Sequence, residues 1–137
     1  MPRWHGQRAQ ATIELVLVVP GLLLGLFLIT AVGLLARADG EVAGVAVEAA
    51  RAGALVSSTA DVELAARERA QAVAAAYGMT LQRLELAVDA SEFGRGGQVR
   101  VEVSYQLPLE AVPLIGWGTM QLQHQAVEPV DAFRSLP

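Results

Sequence analysis

Cysteine is absent from the 137 residues. The chain therefore has neither a disulfide framework nor a thiolate metal site, and thiol usage says nothing of its redox compartment. Lysine and asparagine are absent too, and all ten basic residues are arginine, a bias that points to GC-rich coding more than to function. Histidine occurs only as His5 and His124; with no His-x-x-x-His pair and no clustered carboxylates, no metal site is expected. No glycine-rich loop follows a strand and opens a helix, so the phosphate-binding motifs are missing. Ser57 and Ser58 have no neighbouring motif that would make either a nucleophile. Neither catalysis nor a cofactor is expected.

The length leaves room for one membrane helix and one small domain. Charge is divided unevenly along it. Up to residue 38 there are three arginines against one acid, a net +2; beyond it there are seven arginines against thirteen acids, a net −6. By the positive-inside rule the amino terminus is expected in the cytoplasm and the acidic remainder outside. An acidic exported portion also argues against nucleic-acid binding, which needs a basic patch to neutralise phosphates.

The dominant feature is an uncharged run of 22 residues, Leu15 to Ala36. As a helix it rises roughly 33 Å, which matches a hydrocarbon core about 30 Å thick. A single acid, Glu14, stands at its inner lip. In one reading the carboxylate simply suits the positive end of the helix dipole in the first turn. In the other it is a docking group, since ionisable residues held at apolar helices usually pair with something. Within the run, Pro20 could kink the helix. Gly21 and Gly25 form a small-xxx-small pair, which is either a packing site for a neighbouring helix or ordinary membrane-helix composition. Gly40 and Gly44 form a second such pair beyond the run.

Residues 1–9, with Arg3 and Arg8, have no apolar period and read as a leader outside the fold. The stretch Arg8-Ala9-Gln10-Ala11-Thr12-Ile13-Glu14-Leu15 and the apolar helix after it resemble the type IV pilin class of signals. They resemble most closely the TadE-like proteins of the tight adherence (Tad) pilus system, and Val45 to Ala54, with its Ala49-Ala50-Arg51 core, resembles that family's post-membrane helix. In sequence the likeness covers only about the first 30 residues and this segment. It implies a pilin-like fold and cleavage by a prepilin peptidase between Ala9 and Gln10, which places Glu14 fifth in the mature chain. It further implies other pilins or pseudopilins as partners, with Glu14 neutralised by a neighbour's new amino terminus. The chain departs from the family at Ala9, where relatives usually carry glycine.

Helical character is expected to continue through residue 56, so that residues 10–56 form a transmembrane and extended helix of roughly 70 Å. Residues 57–137 then make an exported α+β domain. Ser58 or Thr59 is expected to cap a second helix over 60–77, where Val62, Ala66, Ala70 and Val73 keep helical spacing. Gly78 would end it. Three alternating segments follow, about Leu84–Asp89, Gln98–Leu107 and Met120–Ala126, with Gly94 to Gly97 as the first hairpin turn. Two helices on a small three-stranded antiparallel sheet give an α+β fold. The loop from Pro108 to Gly118 is strongly apolar: Leu114, Ile115 and Trp117 either form a contact surface or fold back into the core. His124 is most simply a strand residue, and the tail after Pro129 shows no pattern.

The expected function is that of a minor pilin or pseudopilin in pilus assembly, inserted in the inner membrane. A bitopic membrane adaptor whose exported domain binds an envelope partner is the alternative. A third reading makes Ala36-Arg37-Ala38 a signal-peptidase site that releases a soluble protein starting at Asp39; the apolar run is long for it, since secretory apolar regions span about 7–15 residues.

Overall fold

The computed structural model describes the backbone of residues 5–131 and the side chains of residues 14–131. Helix α1 (His5–Leu55) runs unbroken for 51 residues, Pro20 included. It begins inside the expected leader, so the backbone of residues 5–9 joins the helix rather than standing apart from it. The side chains of Ala9 and Gln10 lie outside the described residues, as do residues 1–4 and 132–137.

Helix α2 (Thr59–Ala76) folds back along α1 after three residues. Ser58 is its N-cap, with Oγ accepting from the Ala60 amide at 3.2 Å. At the other end the Met79 amide donates to Ala74 and the Gly78 amide to Ala75, with Gly78 at φ +76°. This is the Schellman arrangement that a glycine past the last turn permits. The two helices are antiparallel. Gly53 meets Val62 near the turn, Glu48 meets Arg69 midway, and Gly44 meets Tyr77 at the far end.

A single 3-10 turn (Leu81–Arg83) leads into β1 (Leu84–Asp89), β2 (Gln98–Pro108) and β3 (Thr119–Pro129), an antiparallel sheet in the order β1-β2-β3. Period-two alternation turns Val99, Val101, Val103 and Tyr105 of the central strand inward, and all four are buried. Leu86 and Val88 flank Val103 and Val101 on one side; Leu122 and Ala126 flank Tyr105 and Val101 on the other. The outer face is polar: Gln121 donates to Ser104 at 3.4 Å and Gln123 donates to Glu102.

The core closes between this sheet and the carboxy-terminal half of α1, through Ala38, Val42, Val45, Ala46, Ala49 and Ala50, with Val62, Ala66, Ala70 and Ala74 of α2 completing it. Alanine dominates the helix faces, so the helices can lie close. The chain beyond Pro129, patternless in sequence, enters this core with Val130, which is 2% exposed and whose amide donates to the Gly97 carbonyl at 2.8 Å.

Candidate functional site

Two halves of one helix have opposite surroundings. Between Ala38 and Ala54, α1 is covered by the domain. Between Leu15 and Leu34, fourteen large apolar side chains are exposed. These side chains are 41–76% exposed, so at roughly 1.5–3 kcal/mol for each fully exposed one, leaving them in water forfeits on the order of 10–25 kcal/mol. That is as large as the whole stability of a typical domain, about 5–15 kcal/mol. The amino-terminal half of α1 needs an apolar medium or apolar neighbours.

Glu14 is exposed at the start of this surface and takes part in none of the ion pairs seen among the described residues. Gly21 and Gly25 follow seven and eleven residues later, close to two and three whole turns, so both return to within about 20° of the Glu14 face. Nothing lies within 4 Å of the place where a Cβ would stand on either glycine. One acid and a pair of small residues thus share an open stripe. Pro20 lies about 120° round the helix from Glu14, off this stripe, and does not interrupt the helix.

The second small pair, Gly40 and Gly44, divides. Gly40 meets nothing, whereas a Cβ on Gly44 would stand 3.2 Å from the Tyr77 hydroxyl oxygen. Gly44 therefore serves packing within the chain. So does Gly53, where Val62 and Val99 converge.

Where the apolar run ends, the domain takes hold of the helix. Asp39 Oδ1 lies 2.7 Å from His124 Nε2. His124 is opposite Val103 on the inward face of the sheet, so a residue read as a plain strand position is the polar tie between β3 and α1. Arg37 pairs with Glu41 at 2.7 Å on the same turn of helix. Further out, Arg69 of α2 reaches Glu48 Oε2 with Nη2 at 2.6 Å and Nε at 3.1 Å. Arg37 and Glu41 keep the i,i+4 spacing that a helix makes legible in sequence, whereas the Asp39–His124 and Glu48–Arg69 pairings join different elements and are not visible in local spacing.

The β2–β3 loop also resolves. Val112, not Leu114, Ile115 or Trp117, turns into the protein and is 5% exposed. Leu114, Ile115 and Trp117 are exposed by 63%, 38% and 81%. The alternative in which these three fold back into the core is thereby excluded.

Among the described residues no group of three or more His, Asp or Glu side chains could hold a metal ion. A hollow of about 410 Å³ beside Arg51, Leu55, Glu128 and Pro129 is open to solvent and gathers no catalytic constellation.

These features define an α+β protein carried on an amino-terminal helix long and apolar enough to cross a membrane. No protein-family model, curated protein or solved structure matches the chain.

Proposed function

We propose that this chain is a membrane-anchored minor pilin or pseudopilin that takes part in assembling a Tad-type adhesion pilus. The observation that carries the proposal is the division of α1 into a bare apolar half and a clothed half without a break between them. Such a subunit can be held in the bilayer and later slide beside similar helices, exchanging lipid for protein over the same surface. The amino terminus is cytoplasmic, the acidic domain is exported, and a prepilin peptidase removes residues 1–9.

Glu14 is the register group. Buried without a partner, a carboxylate is costly; paired with the new amino terminus of a neighbour, it fixes the stagger of one subunit against the next. Gly21 and Gly25, on the same stripe, let the neighbouring helix approach closely. Support for the pairing comes from the open stripe and from the absence of any ion pair to Glu14 among the described residues.

Two measurements test the proposal. Mass spectrometry of the membrane-purified protein should find a chain beginning at Gln10, and an intact Met1 start would overturn the processing step. Glu14→Gln should leave membrane insertion intact while lowering the yield of sheared pili; unchanged yield would remove the pairing role. Recovery with membranes but never with sheared pili would favour the adaptor.

A further inference from the structure

The β2–β3 loop stands at a particular height on the molecule. His124 is level with Asp39, and from the His124–Val103 pair the two strands run on for four residues, roughly 13 Å, to Leu107 and Met120. Leu107, Pro108 and Val112 then share a groove of about 220 Å³ with Leu34, Arg37 and Ala38 of α1. Leu34 belongs to the uncharged run. The ends of β2 and β3 therefore reach the outer end of the membrane-sized segment, and the loop projects beside it.

The loop is built as a projection. Its neck is closed by the Leu109 amide donating to Gly118, and its root is the buried Val112, whose amide donates to Leu109, both at 3.0 Å. The Val112 carbonyl in turn accepts from Ile115 and Gly116 at 3.3 Å. Beyond the root the backbone takes the left-handed conformation at Leu114, φ +72°. That conformation is costly for a bulky residue and is kept where surrounding structure imposes it. The result is that three large apolar side chains point away from their own core. Residues 109–118 contain one acid, Glu110, and no base, so electrostatic attraction to anionic lipid contributes nothing.

Resting on the membrane reading of α1, we propose that this loop is a second membrane contact. Leu114, Ile115 and Trp117 insert at the headgroup–acyl boundary of the leaflet where α1 emerges. An indole suits that depth because its ring is apolar while its N–H keeps a polar partner. The occupant is lipid, because the loop continues the lipid-sized surface of α1 at the level where that surface ends. With two points of contact, the exported domain is held against the bilayer at a fixed tilt.

The test uses the full-length protein in phosphatidylcholine vesicles. Trp4→Phe leaves Trp117 as the single indole, and a second protein, Trp4→Phe with Trp117→Phe and Phe27→Trp, reports from the middle of the apolar run. Each is compared in ordinary lipid and in phosphatidylcholine brominated on the acyl chain, near the headgroup or near the methyl end. Trp117 should emit at shorter wavelength than in urea and resist aqueous iodide. It should also lose emission to bromine near the headgroup more than to bromine near the methyl end, independently of salt. The Phe27→Trp probe should show the opposite depth order.

If the Phe27→Trp probe is quenched by bromolipid while Trp117 is not and remains open to iodide, the loop contact is wrong and the membrane helix stands. Trp117 shielded from iodide yet untouched by bromolipid would mean that protein covers the loop, which also overturns the proposal. If neither indole is quenched by bromolipid, the membrane reading falls and the loop contact with it.

Discussion

Gly53 sits where α1 packs against both α2 and the sheet, and replacing it with alanine sets two effects against each other. A Cβ at that position would stand 3.2 Å from Val62 Cγ1 and 3.2 Å from Val99 Cγ1. Both valines are 0% exposed, so neither can retreat towards solvent. Alanine gains about 1 kcal/mol of helix propensity over glycine. Overpacking a closed core costs about 1–3 kcal/mol. The second effect should win, leaving Gly53→Ala less stable by up to about 2 kcal/mol. Gly40 is the internal control: it lies in the same helix, and nothing is within 4 Å of its Cβ position. Gly40→Ala should therefore gain about 1 kcal/mol from propensity alone. Urea titration of the full-length protein in detergent micelles, followed by far-ultraviolet circular dichroism, should move the two midpoints in opposite directions at equal slope. Equal gains for both substitutions would show that the three elements do not meet as tightly as described, and the packing argument would fail.

Three other perturbations read different parts of the fold. Gly97→Ala would drive a Cβ into the Glu92 carbonyl oxygen; since backbone must move to relieve it, the same titration should show a loss of about 1–3 kcal/mol, and a neutral result would contradict the hairpin geometry. Asp39→Ala and His124→Ala should each cost at most about 1 kcal/mol, as expected for a half-exposed polar pair, and a double-mutant cycle should show coupling between them; strict additivity would mean the tie contributes nothing. Asp89 Oδ1 accepts from the Ser91 amide at 3.0 Å, and the hydrogen bonds from Ser91, side chain first and backbone second, hold its carboxyl below the usual range. Its contribution is thus fully present above about pH 4, the unfolded aspartate value, and lost as pH falls through the lower folded value. Asp89→Asn should flatten the acid limb of stability against pH, and an unchanged limb would show that the turn is not held by the carboxylate.

Much of the fold is legible in the sequence because each element carries its own local signal. The uncharged run, the Ala-rich spacing of α2 between Ser58 and Gly78, and the alternation through Val99, Val101 and Val103 need no knowledge of the rest of the chain. What local pattern does not encode is which faces meet. His124 occupies an inward position that alternation alone would assign to an apolar residue. Only the path of α1 across β3 supplies Asp39, 85 residues away in sequence. Val112 is buried beside α1 in place of its larger neighbours, and the loop turns at Leu114, a conformation that sequence does not advertise at a leucine. The roles of Gly44 and Gly53 were hidden for the same reason: a small residue looks alike whether the surface that approaches it belongs to its own chain or to another. The stripe at Glu14, Gly21 and Gly25 is visible in sequence as spacing, and in the fold as unoccupied surface.

The continuity of α1 has a mechanical consequence for the proposed assembly. Twenty-five residues separate Glu14 from Asp39, roughly 38 Å of helix, and no break in the helix falls between them. The domain grips the helix at Asp39, through His124, and again at Gly53, through Val62 and Val99, two points roughly 21 Å apart along the axis. A body held at two such points cannot rock freely about the membrane border. In the proposed assembly, rotation of the amino-terminal half of the helix on pairing of Glu14 would then turn the domain by the same angle. Pairing at one lip of the bilayer would in this way decide which domain surfaces meet beyond the other.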